Sequence, residues 1–404
     1  MYSPQVIDKV LWLKQRGGLS FERRSVEFSV GAAEKLSKLT RPYTSEEQAF
    51  VRSETILTRY DFRYWAERYG WREIDSEQGG GIGLSDFWPS QERALEQIAQ
   101  QEEENYAQFQ QHGFADGIRG VWHKTRQQGA TALLRLIAGH RLSCYSNIRA
   151  IAASLDDTKI REIYKRDKIW YDNLPAFLKP QIQYDVKDSH LSFAKLKSAI
   201  TYQQANQEAG IGTSQQFDIW HMTEVALWDN PWRLEFDFLP AVPRSINTFG
   251  AFESTANGRG EGNFWYEFTE SVRKKEEGFE SWIYVFTPWY LNSNKNRKAA
   301  AFDWSPNELT VEHAELIERT SAEFCGRTVH PSRDQLYWWE SEYKRNKRLG
   351  TLNIFLTNYP ATPEQSFQHS AHAALPLETI ERMRTRARMP MLYAVECEQR
   401  APAL

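Results

Sequence analysis

The sequence predicts an α/β fold, a mostly parallel sheet with helices on both of its faces. Three observations carry this reading. A polar loop over 123–131 follows an apolar run ending at Trp122 and leads into a helix-forming run with Ala132, Leu133, Leu134, Leu136, Ile137 and Ala138. Strand-like segments rich in aliphatic and aromatic residues recur around 149–153, 217–223, 245–253 and 282–286. Helix-length segments lie between them, and strands alternating with helices build a parallel sheet covered by helical layers.

Composition narrows the function classes. A chain of 404 residues can bury a large core and form two or three domains. The net charge of -3 excludes a strongly basic body, so any nucleic-acid contact must use a local patch or a ring-lining loop. Cys144, Cys325 and Cys397 are odd in number and far apart, which argues against a disulfide framework or a cysteine zinc site and fits a reducing compartment. No apolar run approaches the ~18 residues of a membrane helix, and the first residues lack a basic-then-apolar leader. The 15 tryptophans point to aromatic core packing.

Residues 1–80 read as mostly helical, with an apolar stripe of Val6, Val10, Leu11 and Leu13 and an aromatic helix carrying Tyr60, Phe62, Tyr64, Trp65 and Tyr69. The glycines at 79, 80, 81 and 83 set a first boundary, closing a helical N-terminal region over 1–84. Ser90 is the predicted N-cap of a helix running to about Phe109. Trp88 and Gln91 sit just there. A Gln amide can both donate to and accept from an adenine edge while an aromatic covers the base face. The plain alternative is a capped helix with a solvated Gln.

The loop that follows has the layout of a phosphate-binding loop. N–H groups at a helix N-terminus favour an anion, and a Thr hydroxyl there can reach Mg²⁺. Gly129 and Thr131 fit the usual G-x-x-x-x-G-K-[ST] pattern. The Lys slot holds Ala130, and the first Gly slot holds Lys124. An ordinary strand-to-helix loop with surface charges is the other reading.

Next come a buried strand at 149–153, a helix from about Asp156 to Asn173, and a strand or hairpin over 191–202. The apolar strand from Phe217 ends in Thr223-Glu224. A phosphate-loop ATPase is expected to carry a second strand beside the first, ending in one acid for Mg²⁺ and one that polarises water. Glu224 fills the second slot; a Thr stands in the first, and Asp218 is too early. His221 reads as a packed core histidine. The strand over 245–253 runs into Ser254, Thr255, Ala256, Asn257 and Gly258, a polar turn that could sense the γ-phosphate. An aromatic helix over 263–273, a charged helical region over 309–350 and a proline-punctuated connector over 358–367 follow. His369 and His372 lack further ligands at metal spacing. Residues 371–404, with Arg382, Arg384, Arg386 and Arg388, read as a linker.

Taken in order, Trp88-Pro-Ser-Gln91, Lys124 to Thr131, Met222-Thr223-Glu224 and Glu253 to Gly258, with Phe286-Thr-Pro-Trp289 and the Tyr359 to Phe367 segment, resemble the ATPase half of tailed-phage terminase large subunits. The resemblance spans roughly 55–370. It implies a P-loop NTPase fold of the ASCE, RecA-like kind over 85–368, with a lid or linker subdomain near 290–368 and a C-terminal remainder over 369–404. It also implies roles. Gln91 and Trp88 would hold adenine. Gln127, Gln128, Gly129, Ala130 and Thr131 would bind the phosphates of ATP. Lys124, at the front of the loop, and Arg126 would stabilise charge. Thr131, Thr223 and Glu224 would serve Mg²⁺. Glu224 would be the catalytic carboxylate, and 254–258 the coupling motif.

Such a motor subunit would drive double-stranded DNA into a procapsid by a backbone-directed grip, with Arg259 and Lys274-Lys275 as candidate contacts. Its expected partners are a portal protein, a terminase small subunit and copies of itself in a ring of five, in the host cytoplasm during virion assembly and without a membrane. The family's nuclease domain is not expected, because the stretch 368–404 is shorter than the ~100–150 residues of an ordinary domain. Two other readings stay open: a helicase-like DNA-dependent ATPase, and a non-hydrolysing remnant that binds ATP and assembles on a portal, which Ala130 and Thr223 favour.

Overall fold

The computed structural model describes residues 31–74, 80–205, 211–212, 215–258 and 263–367. The readings on Val6, Val10, Leu11, Leu13, Gly79, Arg259, His369, His372 and 371–404 lie outside these residues. The described chain begins with a short helical stretch at 31–37, then α1 (Ser45–Tyr60) and α2 (Phe62–Tyr69). Thr44 caps α1 in a capping box with Glu47, so both orphan donors at that end find an acceptor. Asp61 ends α1 and caps α2 by accepting from the Tyr64 N–H. A small antiparallel pair follows, β1 (Trp71–Glu73) and β2 (Ile82–Leu84), the latter containing Gly83.

The helix α3 (Pro89–His112) starts two residues earlier than its sequence suggests. Trp88, not Ser90, is its N-cap, because a proline at the first helical position has no orphan N–H and a preset φ. Ser90 lies inside the helix, and its hydroxyl donates to the Gln128 carbonyl at 2.9 Å.

Strands β3 (Ile118–Lys124), β4 (Arg149–Ser154), β5 (Ile182–Val186), β6 (His190–Phe193), β7 (Ser198–Gln204), β8 (Ile219–Thr223), β9 (Phe249–Ser254) and β10 (Trp282–Thr287) form one sheet in the order β10-β3-β9-β8-β4-β7-β6-β5. The six strands from β10 to β7 are parallel, and β6 and β5 add on antiparallel. This corrects one expectation. The strand that ends in Thr223-Glu224, β8, does not lie beside the loop strand β3; β9 is inserted between them. Apolar runs report that a strand is buried on both faces, but not its place in the sheet. A local device keeps β8 and β9 close: Trp220 pairs with Gly250, where a Cβ would fall 1.9 Å from the indole.

Both faces are covered. Along β4, Ala150 and Ala152 join the core that contains Trp65, Leu133, Ile137 and Trp170, whereas Ile151 and Ala153 join the core of Trp220, Phe252, Trp265 and Trp282. The first core is roofed by α2, α4 (Ala130–Cys144) and α5 (Asp157–Asn173), and the second by α6 (Phe264–Lys274). A third core, with Trp289, Tyr290 and Trp339, joins β10 to α7 (Glu308–Cys325), α8 (Arg333–Leu349) and α9 (Leu352–Asn358). Each buried aromatic contributes about 1.5–3 kcal/mol of transfer free energy.

One buried ion pair fixes the helix behind the loop. Arg135 of α4 grips Asp167 of α5 with two bonds, at 2.9 and 2.6 Å, and Tyr202 of β7 donates to the same carboxylate at 2.7 Å. The Trp170 indole N–H adds a fourth donor.

Candidate active site

The C-terminal ends of β3, β4, β8 and β9 open on a cleft of about 650 Å³. Ligands of open parallel sheets bind at this edge. Lys124 closes β3, and the chain then turns through 125–129 into α4. Gln127 (φ 59°) and Gly129 (φ 76°) both take left-handed backbone, which turns successive N–H groups toward one side. Among the described residues, no protein acceptor meets the N–H groups of Gln127, Gln128 and Gly129. With the N-terminus of α4 they make a cradle for an anion.

The loop is pinned from behind. Gln91 Nε2 donates to the Gly129 carbonyl at 2.9 Å while its Oε1 accepts from the Trp88 N–H. A Cβ at Gly129 would approach Gln91 Nε2 to 2.8 Å. Asn292 bonds both the Gln128 side chain and Ser90. Arg126 is exposed at the cleft, with its N–H donating to the Asn358 carbonyl and its Nε to Asn358 Oδ1. Gln91 is 2% exposed and does not line the cleft, whereas Trp88 does.

Across the cleft stands Glu224. It sits at the turn after β8 with φ 60°, a left-handed conformation that costs a non-glycine residue ~1 kcal/mol and clusters at functional sites. Among the described residues no hydrogen bond or ion pair engages its carboxylate, and it lines the cleft with Thr223 and Thr131. The turn carrying it is tied to 254–258. The Ala226 N–H donates to Ser254 Oγ, and Asn257 Nδ2 donates to the Ala226 carbonyl, each at 3.1 Å. Asn263 in turn holds the Asn257 and Gly258 carbonyls. Thr255 lines the cleft, and Ala256 is buried in the second core.

Sequence reasoning gave no role to Glu253. This residue is next to last in β9 and fully buried, and its Oε1 accepts from Thr131 Oγ1 and Thr223 Oγ1, each at 2.6 Å. Lys124 Nζ and His221 Nε2 lie 3.2 Å from the same atom. Burial pushes the Glu253 carboxyl up, but Lys124, His221 and the hydroxyl donors outweigh it and hold the group well below the usual carboxylate range. Burial pushes the His221 ring down, against the pull of the Glu253 carboxylate. The signal that could have found Glu253 is an acid at the end of an apolar strand, one residue before the polar turn.

These residues fit Mg²⁺ held together with a nucleotide. Two hydroxyls and one unpartnered carboxylate face the cleft, and the buried Glu253 Oε2 lacks any hydrogen-bond partner. Mg²⁺ on phosphates needs only one or two protein groups, and among the described residues no cluster of three His, Cys, Asp or Glu occurs.

No protein-family model matches the chain, and no curated protein does. Among solved structures it is similar to the HK97 bacteriophage large terminase, with 11% identity and a TM-score of 0.46, over 72% of this chain and 52% of that one. It is also similar to the large terminase ATPase domain of Thermus phage P74-26, with 13% identity and a TM-score of 0.35, over 43% of this chain and 76% of that domain. A third similar structure is the Phi-28 gp11 DNA packaging motor, with 11% identity and a TM-score of 0.27, over 52% of this chain and 65% of that one.

Proposed function

We propose that this chain is an ATP-hydrolysing motor subunit that moves double-stranded DNA into a viral procapsid. The observation that carries the reading is one cleft at the C-terminal edge of a parallel sheet, where the anion cradle 125–131 faces an unpartnered Glu224 whose turn is bonded to 254–258. Chain roles follow from position. The loop N–H groups and Lys124 bind and orient the phosphates. Arg126, exposed at the rim, reaches toward charge that spreads onto the γ-phosphate oxygens. Glu224 orients the attacking water and accepts its proton as the water oxygen bonds to the γ-phosphorus and the bond to the β–γ bridging oxygen breaks, releasing ADP. Thr131, Thr223 and Glu224 would hold Mg²⁺, which supplies charge neutralisation on the phosphates. The bonds from Ser254 and Asn257 to Ala226 give phosphate loss a mechanical route into α6.

The DNA grip would be to the backbone and salt-sensitive. A portal protein, a small subunit and further copies in a ring of five are the proposed partners, in the host cytoplasm. A second reading, an ATP-binding subunit that does not turn over, draws on Ala130 and on Thr223 in an acid's place.

The test is steady-state ATP hydrolysis with Mg²⁺, with and without linear double-stranded DNA. The expected result is turnover that DNA stimulates and that Glu224→Gln abolishes while nucleotide binding is kept. Unchanged turnover in Glu224→Gln would remove Glu224 from its role. Binding without turnover in the wild type would favour the second reading.

A further inference from the structure

Strand β8 ends in Thr223 where a Mg²⁺-holding acid is expected, and a hydroxyl brings no charge. The missing charge stands one strand away. Glu253 on β9 pairs in register with Thr223 on one side and with Trp122 of the loop strand on the other. It is therefore on the strand directly beside β3, the place the sequence pattern assigns to an acid. Its Oε1 receives both threonine hydroxyls at 2.6 Å, one from the phosphate loop and one from β8. A hydroxyl has one proton, so donating it inward to Glu253 leaves the lone pairs of Thr131 and Thr223 for a cation. The second oxygen, Oε2, is buried without a hydrogen-bond partner, an uncommon state for a buried polar atom.

Resting on the ATPase reading above, we infer that Glu253 replaces, from the neighbouring strand, the acid absent at Thr223. It is a positioning residue for Mg²⁺·ATP: it supplies the negative charge and fixes the orientation of the two hydroxyls that meet the metal. In the chain alone the Lys124 ammonium balances this carboxylate, 3.2 Å from Oε1 and 3.3 Å from Thr131 Oγ1. Lys124 and the metal thus answer to the same acid.

The test moves the charge between strands. Glu253→Gln keeps the shape and removes the charge. Glu253→Gln combined with Thr223→Asp returns it to the usual strand. Calorimetry measures ATP affinity with Mg²⁺ and with EDTA, and electron paramagnetic resonance counts Mn²⁺ bound with ATP. The wild type should bind Mg²⁺·ATP at least ~10-fold tighter than free ATP, a difference of one charge-assisted contact or more. Glu253→Gln should lose that gain and the bound Mn²⁺, while its affinity in EDTA does not fall, because the Lys124 ammonium is then released from its carboxylate. The double variant should recover both, which a purely structural Glu253 would not allow. Retention of the full Mg²⁺-dependent gain in Glu253→Gln, or no recovery in the double variant, would overturn the inference. Should Glu253→Gln fail to fold, Thr223→Val removes one of the two oriented hydroxyls and is expected to lose the same gain; full retention there would also overturn it. A wild type that binds no ATP under either condition would remove the ATPase reading and this inference together, whereas the other contrary outcomes remove this inference alone.

Discussion

Two buried carboxylates organise the molecule, and they are built in opposite ways. Asp167 engages both oxygens: a two-pronged Arg135, the Tyr202 hydroxyl and the Trp170 indole divide between them. Its partners sit on α4, α5 and β7, in the roof of the first core. Glu253 concentrates two hydroxyls, an ammonium and a histidine edge on one oxygen and leaves the other bare. Its partners belong to the N-terminus of α4, to β3 and to β8. A carboxylate with both oxygens engaged can only lose by change. A carboxylate with one crowded oxygen and one bare one keeps unused acceptor capacity. The first arrangement holds the frame, and the second orients the hydroxyls of Thr131 and Thr223 that line the cleft.

That contrast can be broken most severely at Asp167. Asp167→Ala strands a buried guanidinium, and breaking such a pair costs about 3–5 kcal/mol. Thermal denaturation should show a large drop in melting temperature. A variant that melts like the wild type would put Asp167 outside the frame. The next effect is on turnover. Lys124→Ala should lower ATP hydrolysis by ~10²–10³-fold, the scale of losing one electrostatic stabiliser, and Ala130→Lys should gain far less than that. A many-fold rise in Ala130→Lys would show that the loop works with its lysine in the usual slot. Gly129→Ala sharpens the loop side. The left-handed φ and the close Gln91 amide should cost ~1–3 kcal/mol, read as weaker ATP binding and a lower melting temperature together. An unaffected Gly129→Ala would mean that the loop does not need this backbone.

The smallest effect per group comes from acid. Burial holds His140 and His313 at about 3, and His123 likewise, with nearby arginines adding to the effect on His123 and His140. Unfolded, each would titrate near 6.5. Between those values the unfolded chain binds protons that the folded chain refuses. Stability is therefore full above pH 6.5 and falls as pH drops, by up to about 1.4 kcal/mol per pH unit for each histidine. Melting curves at pH 7.5, 6 and 5 should step down. A flat melting temperature over that range would mean that these rings are accessible or charged in the fold.

Much of the site was legible because its residues carry local signals. Gly129 and Thr131 mark a strand-to-helix loop, and Glu224 closes an apolar strand. The Asp167 centre was not legible, since Arg135 and Tyr202 lie 32 and 35 residues away in the chain on other elements. Glu253 was in plain view but had no meaning until β9 was known to lie between β3 and β8. Strand β5 escaped for a different reason: Tyr184 and Val186 are exposed on a sheet edge, so its residues follow no buried pattern. Ser90 has the chemistry of a cap, but Pro89 starts the helix before it.

The most direct measurement is calorimetric titration of ATP into the wild-type chain with Mg²⁺ present. One nucleotide per chain, with affinity that drops when EDTA removes the metal, is the result this account predicts. A chain that binds no ATP with Mg²⁺ would contradict it, because the cradle at 125–131 and the acids behind it would then have no ligand to serve.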